Sequence, residues 1–145
     1  MSEQSDRRQR NIEVIRAGFE AFERGDGEFV LSQMDPEIEI YSPPALANSG
    51  SFRGPEGYTR WLTDWLEAWD DFDVGTKHDE IEGVGDRHVL IPIHQTAVGR
   101  SSGVPVELDL CFMAEVAGGR LVALHLYPDV DEARDVAKRR ESGAD

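Results

Sequence analysis

The stretch "RWLTDWLEAWDDF", Arg60 to Phe72, carries all three tryptophans of a 145-residue chain at four-residue spacing. At about 100° per residue, Tyr58, Trp61, Leu62, Trp65, Leu66 and Trp69 share an arc of roughly 140°, with Arg60, Thr63, Asp64 and Glu67 opposite. This spacing predicts an amphipathic helix that buries a stripe, not a free aromatic cage. After Trp69 the period changes to that of strands. Segments near Phe72–Glu82, His88–Val98, Val104–Val116 and Arg120–Tyr127 are separated by "EGVGD", "GRSSG" and "AGG", turn chemistry at hairpin lengths, so neighbours are expected to pair antiparallel.

Upstream, Ile12, Ile15, Phe19 and Phe22 recur at helical spacing from Asp6 to Arg24, and Gly25 supplies a stop. Asp26 can cap a short second helix with Phe29, Val30 and Met34, which ends where Asp35 and Pro36 disfavour continuation. "EIEIYS" alternates as a strand. Pro43, Pro44, Gly50 and Gly54 mark a loop of about a dozen residues, suited to a pocket rim, before Pro55 opens the tryptophan helix. "DEARDVAKRR" closes the chain as a short polar helix. Helices, strand, helix and meander together define an α+β class, with N-terminal helices packed on one face of a strongly curved, mainly antiparallel sheet. Residues 1–145 read as one domain, its core spanning about 6–128, with a short helix and tail over 129–145.

Composition narrows the function. A chain of 16.2 kDa with 39% hydrophobic and 30% charged residues is that of a globular protein, and a net charge of -14 repels phosphates and anionic lipids. Only "RRQR" (Arg7 to Arg10) and "KRR" (Lys138 to Arg140) are locally basic, so neither nucleic acid nor membrane is an expected partner. The sole cysteine, Cys111, lies in "LDLCFMA" as a strand residue and has no intrachain disulfide partner. No apolar run approaches the roughly 20 residues of a membrane span, and "MSEQSDRRQR" lacks the apolar segment of a secretion signal, so a cytoplasmic location is expected. Thirteen arginines against two lysines suggest a GC-rich bacterial genome.

Alternation sorts the faces of the sheet. Leu108, Leu110, Phe112, Ala114 and Val116 share one face and form the expected buried set, while Glu107, Asp109, Cys111, Met113 and Glu115 share the other. In the last strand Val122, Leu124 and Leu126 are expected inward, and Ala123, His125 and Tyr127 outward. In "HVLIPIHQTAV" periodicity does not decide, because Leu90, Pro92, His94 and Thr96 compete with Val89, Ile91, Ile93, Gln95 and Ala97.

"AFERGDGEFVLSQMDPEIEIYSP", "FRGPEGYTRWLTDWLEAWDDFDV", "SGVPVEL" and "GGRLVALHLYPDVDEA" resemble segments of the SnoaL-like family of the nuclear transport factor 2-like superfamily. The resemblance covers nearly the whole chain. It implies a cone-shaped fold with a central pocket, frequent homodimers, and an interior reached by Leu90, Pro92, His94 and Thr96. Such motifs mark the fold and say little of the reaction. Where ketosteroid isomerases carry a tyrosine, an aspartate and a neutral carboxylic acid, this chain has Gly18, Ser42 and Phe112. The closing-strand aspartate of limonene epoxide hydrolases falls at Leu126. The His and Asp pair of SnoaL polyketide cyclases falls at Leu124 and Leu126. Leucine cannot activate water or move a proton.

What remains is His94, on a strand where the more distant scytalone dehydratase also presents a histidine. Its imidazole, with an ordinary pKa of about 6.5, could move a proton with Thr96 beside it, or could be a buried, satisfied histidine. His88 and His94 cannot share a metal, since six strand residues span roughly 20 Å, and no metal or cofactor is expected. Gln95, Asp109, His125 and Tyr127 form an outer polar set best read as interface or solvated surface. His78 with Asp79 and Glu80 reads as a solvated strand end, and the acidic run Asp70, Asp71, Asp73, Asp79, Glu80, Glu82 and Asp86 as surface. The expected pocket is lined by Ser42, Trp61, Leu62, Trp65, Leu90, Thr96, Leu110, Phe112, Leu124 and Leu126, with Trp69 sealing an end. It would hold a small hydrophobic, cyclic molecule as a cofactor-independent isomerase, cyclase or dehydratase, or as a binding module. A third possibility is a dimeric interaction domain whose cone Trp65 and Phe112 fill.

Overall fold

A computed structural model describes residues 3–42, 50–76 and 80–143, with only the backbone of Gln4 and Phe72. The front of the expected loop after Pro43, and His78 with Asp79, lie outside the described residues. The chain runs α1 (Glu3–Glu23), α2 (Gly27–Ser32), β1 (Met34–Ser42), β2 (Gly50–Arg53), α3 (Gly54–Glu67), β3 (Trp69–Gly75), β4 (Glu82–Val84), β5 (His88–Gly99), β6 (Pro105–Ala117), β7 (Arg120–Tyr127) and α4 (Val130–Glu141). The α+β class is as expected: one curved, unclosed sheet in the order β2-β1-β7-β6-β5-β3, with β4 paired to β5. Every pairing is antiparallel except β1 with β7.

Local chemistry sets the boundaries. Gly25, at φ 80°, ends α1, and the Asp26 carboxylate starts α2 by accepting from the Phe29 amide at 3.2 Å. β2 occupies the back of the expected loop, pairing Ile40 with Phe52 and leading straight into α3. Gly54 is required at that junction because it adopts φ 77° and a side chain there would stand 3.1 Å from the Pro36 carbonyl. α3 stops at its Ala68 cap, so Trp69 opens β3 instead of closing the helix. Leu66, expected in the buried stripe, is exposed.

Both faces of the sheet are covered, by different means. Inside, α1 and α3 close over Ile38, Ile40, Ile91, Ile93, Leu110, Leu124 and Leu126. Outside, α4 lays Ala133 and Ala137 on Val84, Leu90, Cys111 and Met113. The "polar" closing helix therefore covers a second apolar cluster. Two small residues suffice because Leu90, Cys111 and Met113 already fill the space beneath them, all with 0% exposure. Forked contacts from Arg134 Nη2 and Nε to Glu82 at 2.7 and 3.2 Å hold α4 to β4. At its far end Glu141 accepts from the Asp86 and Arg87 amides at 2.9 and 3.0 Å and meets the buried His88 ring.

The inward set of β5 is the reverse of that implied by the resemblance. Ile91, Ile93 and Gln95 face the interior, Leu90 lies under α4, and His94 and Thr96 are exposed. In β7 the register shift at Glu115/Val116 pairs Val116 with Leu121, so Leu121 and not Val122 reaches the interior. His125, expected on the outer face as interface or solvated surface, is buried within the chain.

Candidate functional site

Between α1, α3 and the inner face of the sheet lies a cavity of about 120 Å³. α1 supplies Val14, Ile15, Gly18, Phe19 and Phe22, because its apolar stripe faces the concave sheet. α3 supplies Tyr58, Trp61, Leu62 and Trp65, one helical face of the opening sequence stretch. Ile91, Ile93, Gln95, Leu110, Phe112, Leu124 and Leu126 form the floor. Tyr58 lies 5.7 Å from Trp61 and Phe112 meets Trp61 edge-on at 5.9 Å, an aromatic corner that sets the shape of the wall. Trp69 is displaced from this wall and meets Trp65 in a tilted contact, with ring centroids 5.5 Å apart.

Of the residues expected at the pocket, Trp61, Leu62, Trp65, Leu110, Phe112, Leu124 and Leu126 come together on its wall. Ser42 stands behind it, where its fully buried hydroxyl accepts from the Trp61 indole at 2.6 Å. Leu90 and Thr96 are elsewhere, as is His94. The His94 ring is 49% exposed on the outer surface, with Nδ1 2.6 Å from Asp109 and Nε2 3.1 Å from Glu107. The Asp109 hydrogen bond raises its pKa. A proton carrier there cannot reach the cavity, because β5 places consecutive side chains on opposite faces.

The other expected polar set is split by the sheet. Gln95 is inside, Asp109 is exposed, and His125 is sealed beside Tyr41, its Nε2 2.9 Å from Glu39. Burial lowers the His125 pKa, with the nearby Arg140 charge acting in the same direction. Burial also pushes the Cys111 thiol up to about 12, so this group stays protonated and inert. Among the described residues no group of three metal-ligating side chains converges.

Besides the Trp61 and Trp65 indoles, the polar side chains on the described cavity wall are two amides and a phenol. The sequence pattern put Tyr58 in the buried helix stripe and Gln95 in the outer polar set, and did not single out Gln33. Tyr58 is pushed up to about 12 by burial and remains a protonated phenol at neutral pH. Gln33, just past α2, donates to the Val14 carbonyl at 3.1 Å. Its amide packs against Gly18, where a Cβ would stand only 2.3 Å from the Gln33 oxygen. Gly18, where the resemblance led to comparison with a ketosteroid isomerase tyrosine, thus leaves the space into which Gln33 fits. Gln95, 2% exposed, accepts from the Trp65 indole at 2.9 Å, and its amide nitrogen has no partner among the described residues. The signal that could have found it was the odd-numbered alternative in β5, which places one polar residue in an otherwise apolar row.

Helices closed over one face of a curved sheet, with an apolar cavity between, define a cone-shaped α+β protein of the nuclear transport factor 2-like kind. The chain belongs to the SnoaL-like domain family, whose model matches residues 15–124. An uncharacterised protein of Mycobacterium tuberculosis is 27% identical over 120 residues, covering 82% of this chain and 89% of its own. Among solved structures, a putative SnoaL-like polyketide cyclase from Jannaschia superposes with a TM-score of 0.72 at 14% identity, covering 95% of this chain and 98% of its own. TerC, co-crystallised with polyporic acid, superposes with a TM-score of 0.70 at 20% identity, covering 89% and 98%. These structural likenesses establish the fold. No helix among the described residues is long and apolar enough to cross a membrane.

Proposed function

We propose that this chain binds a small, largely apolar, cyclic molecule in the cavity, without a cofactor and without transforming it. The carrying observation is the composition of the wall. Among its described residues stand no carboxylate, imidazole, ammonium or guanidinium, while aliphatic and aromatic side chains surround a volume of about 120 Å³. An apolar cavity of roughly 150 Å³ holds a benzene ring, so a one-ring ligand is the size expected here. Isomerase, cyclase or dehydratase chemistry needs a group that takes or gives a proton near neutral pH. Tyr58, held at about 12, is poorly placed to do so. TerC, co-crystallised with polyporic acid, supports a small-molecule ligand for a protein of this fold.

In this proposal the chain pairs as a homodimer through the part of the outer sheet face that α4 leaves bare, around Thr96 and Glu107, and works in the cytoplasm, which suits a single buried thiol. Sedimentation at twice 16.2 kDa would support the pairing. Ligand binding is tested by titrating the chain with one-ring aromatics while following tryptophan fluorescence, since Trp61 and Trp65 line the cavity. Saturable quenching without consumption of the ligand is expected. Turnover of any bound compound by the wild type would replace the binding reading with an enzymatic one.

A further inference from the structure

We propose that Gln95 selects the ligand: its carboxamide nitrogen donates to an oxygen acceptor on a neutral ring compound, a ketone or related carbonyl, within the cavity. This rests on the reading that the cavity binds a small cyclic molecule.

The orientation of the amide follows from its neighbour. An indole N–H can only donate, so the atom 2.9 Å from Trp65 Nε1 must be the Gln95 oxygen. The two N–H bonds therefore lie on the other side of the group. That nitrogen is closed to solvent and has no acceptor among the described residues. Its cross-strand neighbours cannot supply one from their side chains, because Gln95 stands between Val74 on β3 and Leu108 on β6. A buried donor without an acceptor is costly and is rare in native proteins. The Gln95 side chain is on the cavity wall, and the broad terminal torsion of an amide lets a modest turn bring an N–H toward a bound oxygen.

The chemistry of the acceptor is constrained by what surrounds it. A carboxylate would enter with no cation on the described wall to offset its desolvation, so anions are disfavoured. A hydrocarbon would fit but would leave the Gln95 donor unpaired. A carbonyl oxygen on an apolar ring satisfies both conditions, with the ring against Trp61, Phe112 and Leu124 and the oxygen toward β5.

The probes are acetophenone, its near-isostere α-methylstyrene, which has a methylene in place of the oxygen, and benzoate. Wild-type chain is expected to favour acetophenone over both. In Gln95→Leu the acetophenone to α-methylstyrene affinity ratio should fall at least tenfold, with α-methylstyrene binding kept within about threefold, as expected when a single hydrogen-bonding contact is lost from an apolar pocket. Because Gln95→Leu also removes the acceptor of Trp65, a second readout uses the unmutated chain. The side-chain ¹⁵N–¹H signals of Gln95 should shift downfield with acetophenone and stay in place with α-methylstyrene. An unchanged ratio, or signals that respond alike to both compounds, overturns the role of Gln95 while leaving the pocket intact. Failure of the folded wild type to bind any of the three overturns the binding reading itself, and the selection by Gln95 with it.

Discussion

The two faces of this sheet answer the same demand, burial of apolar side chains, in opposite ways. The outer face under α4 is filled: Leu90, Cys111 and Met113 have 0% exposure, and the helix contributes only Ala133 and Ala137. The inner face is roofed by large side chains, three of them aromatic on α3 alone, yet keeps a cavity of about 120 Å³. Close packing is the rule in protein interiors, so a retained apolar void within a well-covered core is a feature to be explained by use. The lesson is that α4 supplies stability from the outside and lets the inside stay hollow.

The sharpest way to break this comparison is to hollow the filled side. Met113→Ala should cost about 2–5 kcal/mol, measured by urea denaturation, because the surroundings cannot collapse into the gap. Overfilling is the next largest effect and should have opposite signs on the two faces. Ala137→Leu, on the sheet-facing side of α4, should destabilise by about 1–3 kcal/mol. Val74→Leu, on the cavity wall, should be neutral or stabilise by about 0.5–2 kcal/mol and weaken binding of acetophenone. If both substitutions destabilise alike, the inner face is as full as the outer.

Acid should loosen the outer face in two steps. The His125 pKa is lowered in the folded chain, so the unfolded chain takes up the proton first. The stability it contributes is present above the ordinary value of 6.5 and is lost as pH falls below it toward the folded value. Burial works to raise the Glu141 pKa, but hydrogen bonds from His88, Asp86 and Arg87 outweigh it and hold the group below its ordinary 4.5. Its contribution is present above 4.5 and is lost as pH falls further through the folded value. Thermal melts from pH 8 to 3 should show both declines, with His125→Gln flattening the upper and Glu141→Gln the lower.

The same asymmetry explains which parts of the fold were legible in the sequence. β6 alternates cleanly from Glu107 to Leu110, where Glu107 and Asp109 are exposed, and α3 shows a helical stripe at Tyr58, Trp61 and Trp65, because each of these stretches buries only one face. β5 starts with Val89, Leu90 and Ile91 buried in succession, since α4 covers one side and the cavity roof the other. Periodicity has no contrast to work with there, and the resemblance picked the wrong alternative. Its error carried Leu90, His94 and Thr96 to the pocket and left Gln95 outside. Gly18, Phe112, Leu124 and Leu126, the positions to which the resemblance assigned other members' catalytic groups, do line the cavity. The resemblance could not show that Gln33 fits against Gly18 or that Trp65 orients Gln95, since both depend on contacts between distant segments.

The smallest expected effect belongs to the histidine that looked most chemical. His94 and His125 stand on the same outer face but under different cover, and their pKa values move in opposite directions: burial lowers His125, while hydrogen bonding to Asp109 raises His94. His94 therefore favours folding below its ordinary value of 6.5, and that contribution is lost as pH rises through the folded value. Exposed ion pairs of this kind are screened by water and salt. His94→Ala should leave the melting temperature and the acetophenone affinity unchanged. ¹H–¹⁵N spectra of the imidazoles should show His94 titrating at higher pH than His125. A loss of ligand binding in His94→Ala would mean that the outer face communicates with the cavity through β5, and the division between a filled face and a hollow one would have to be redrawn.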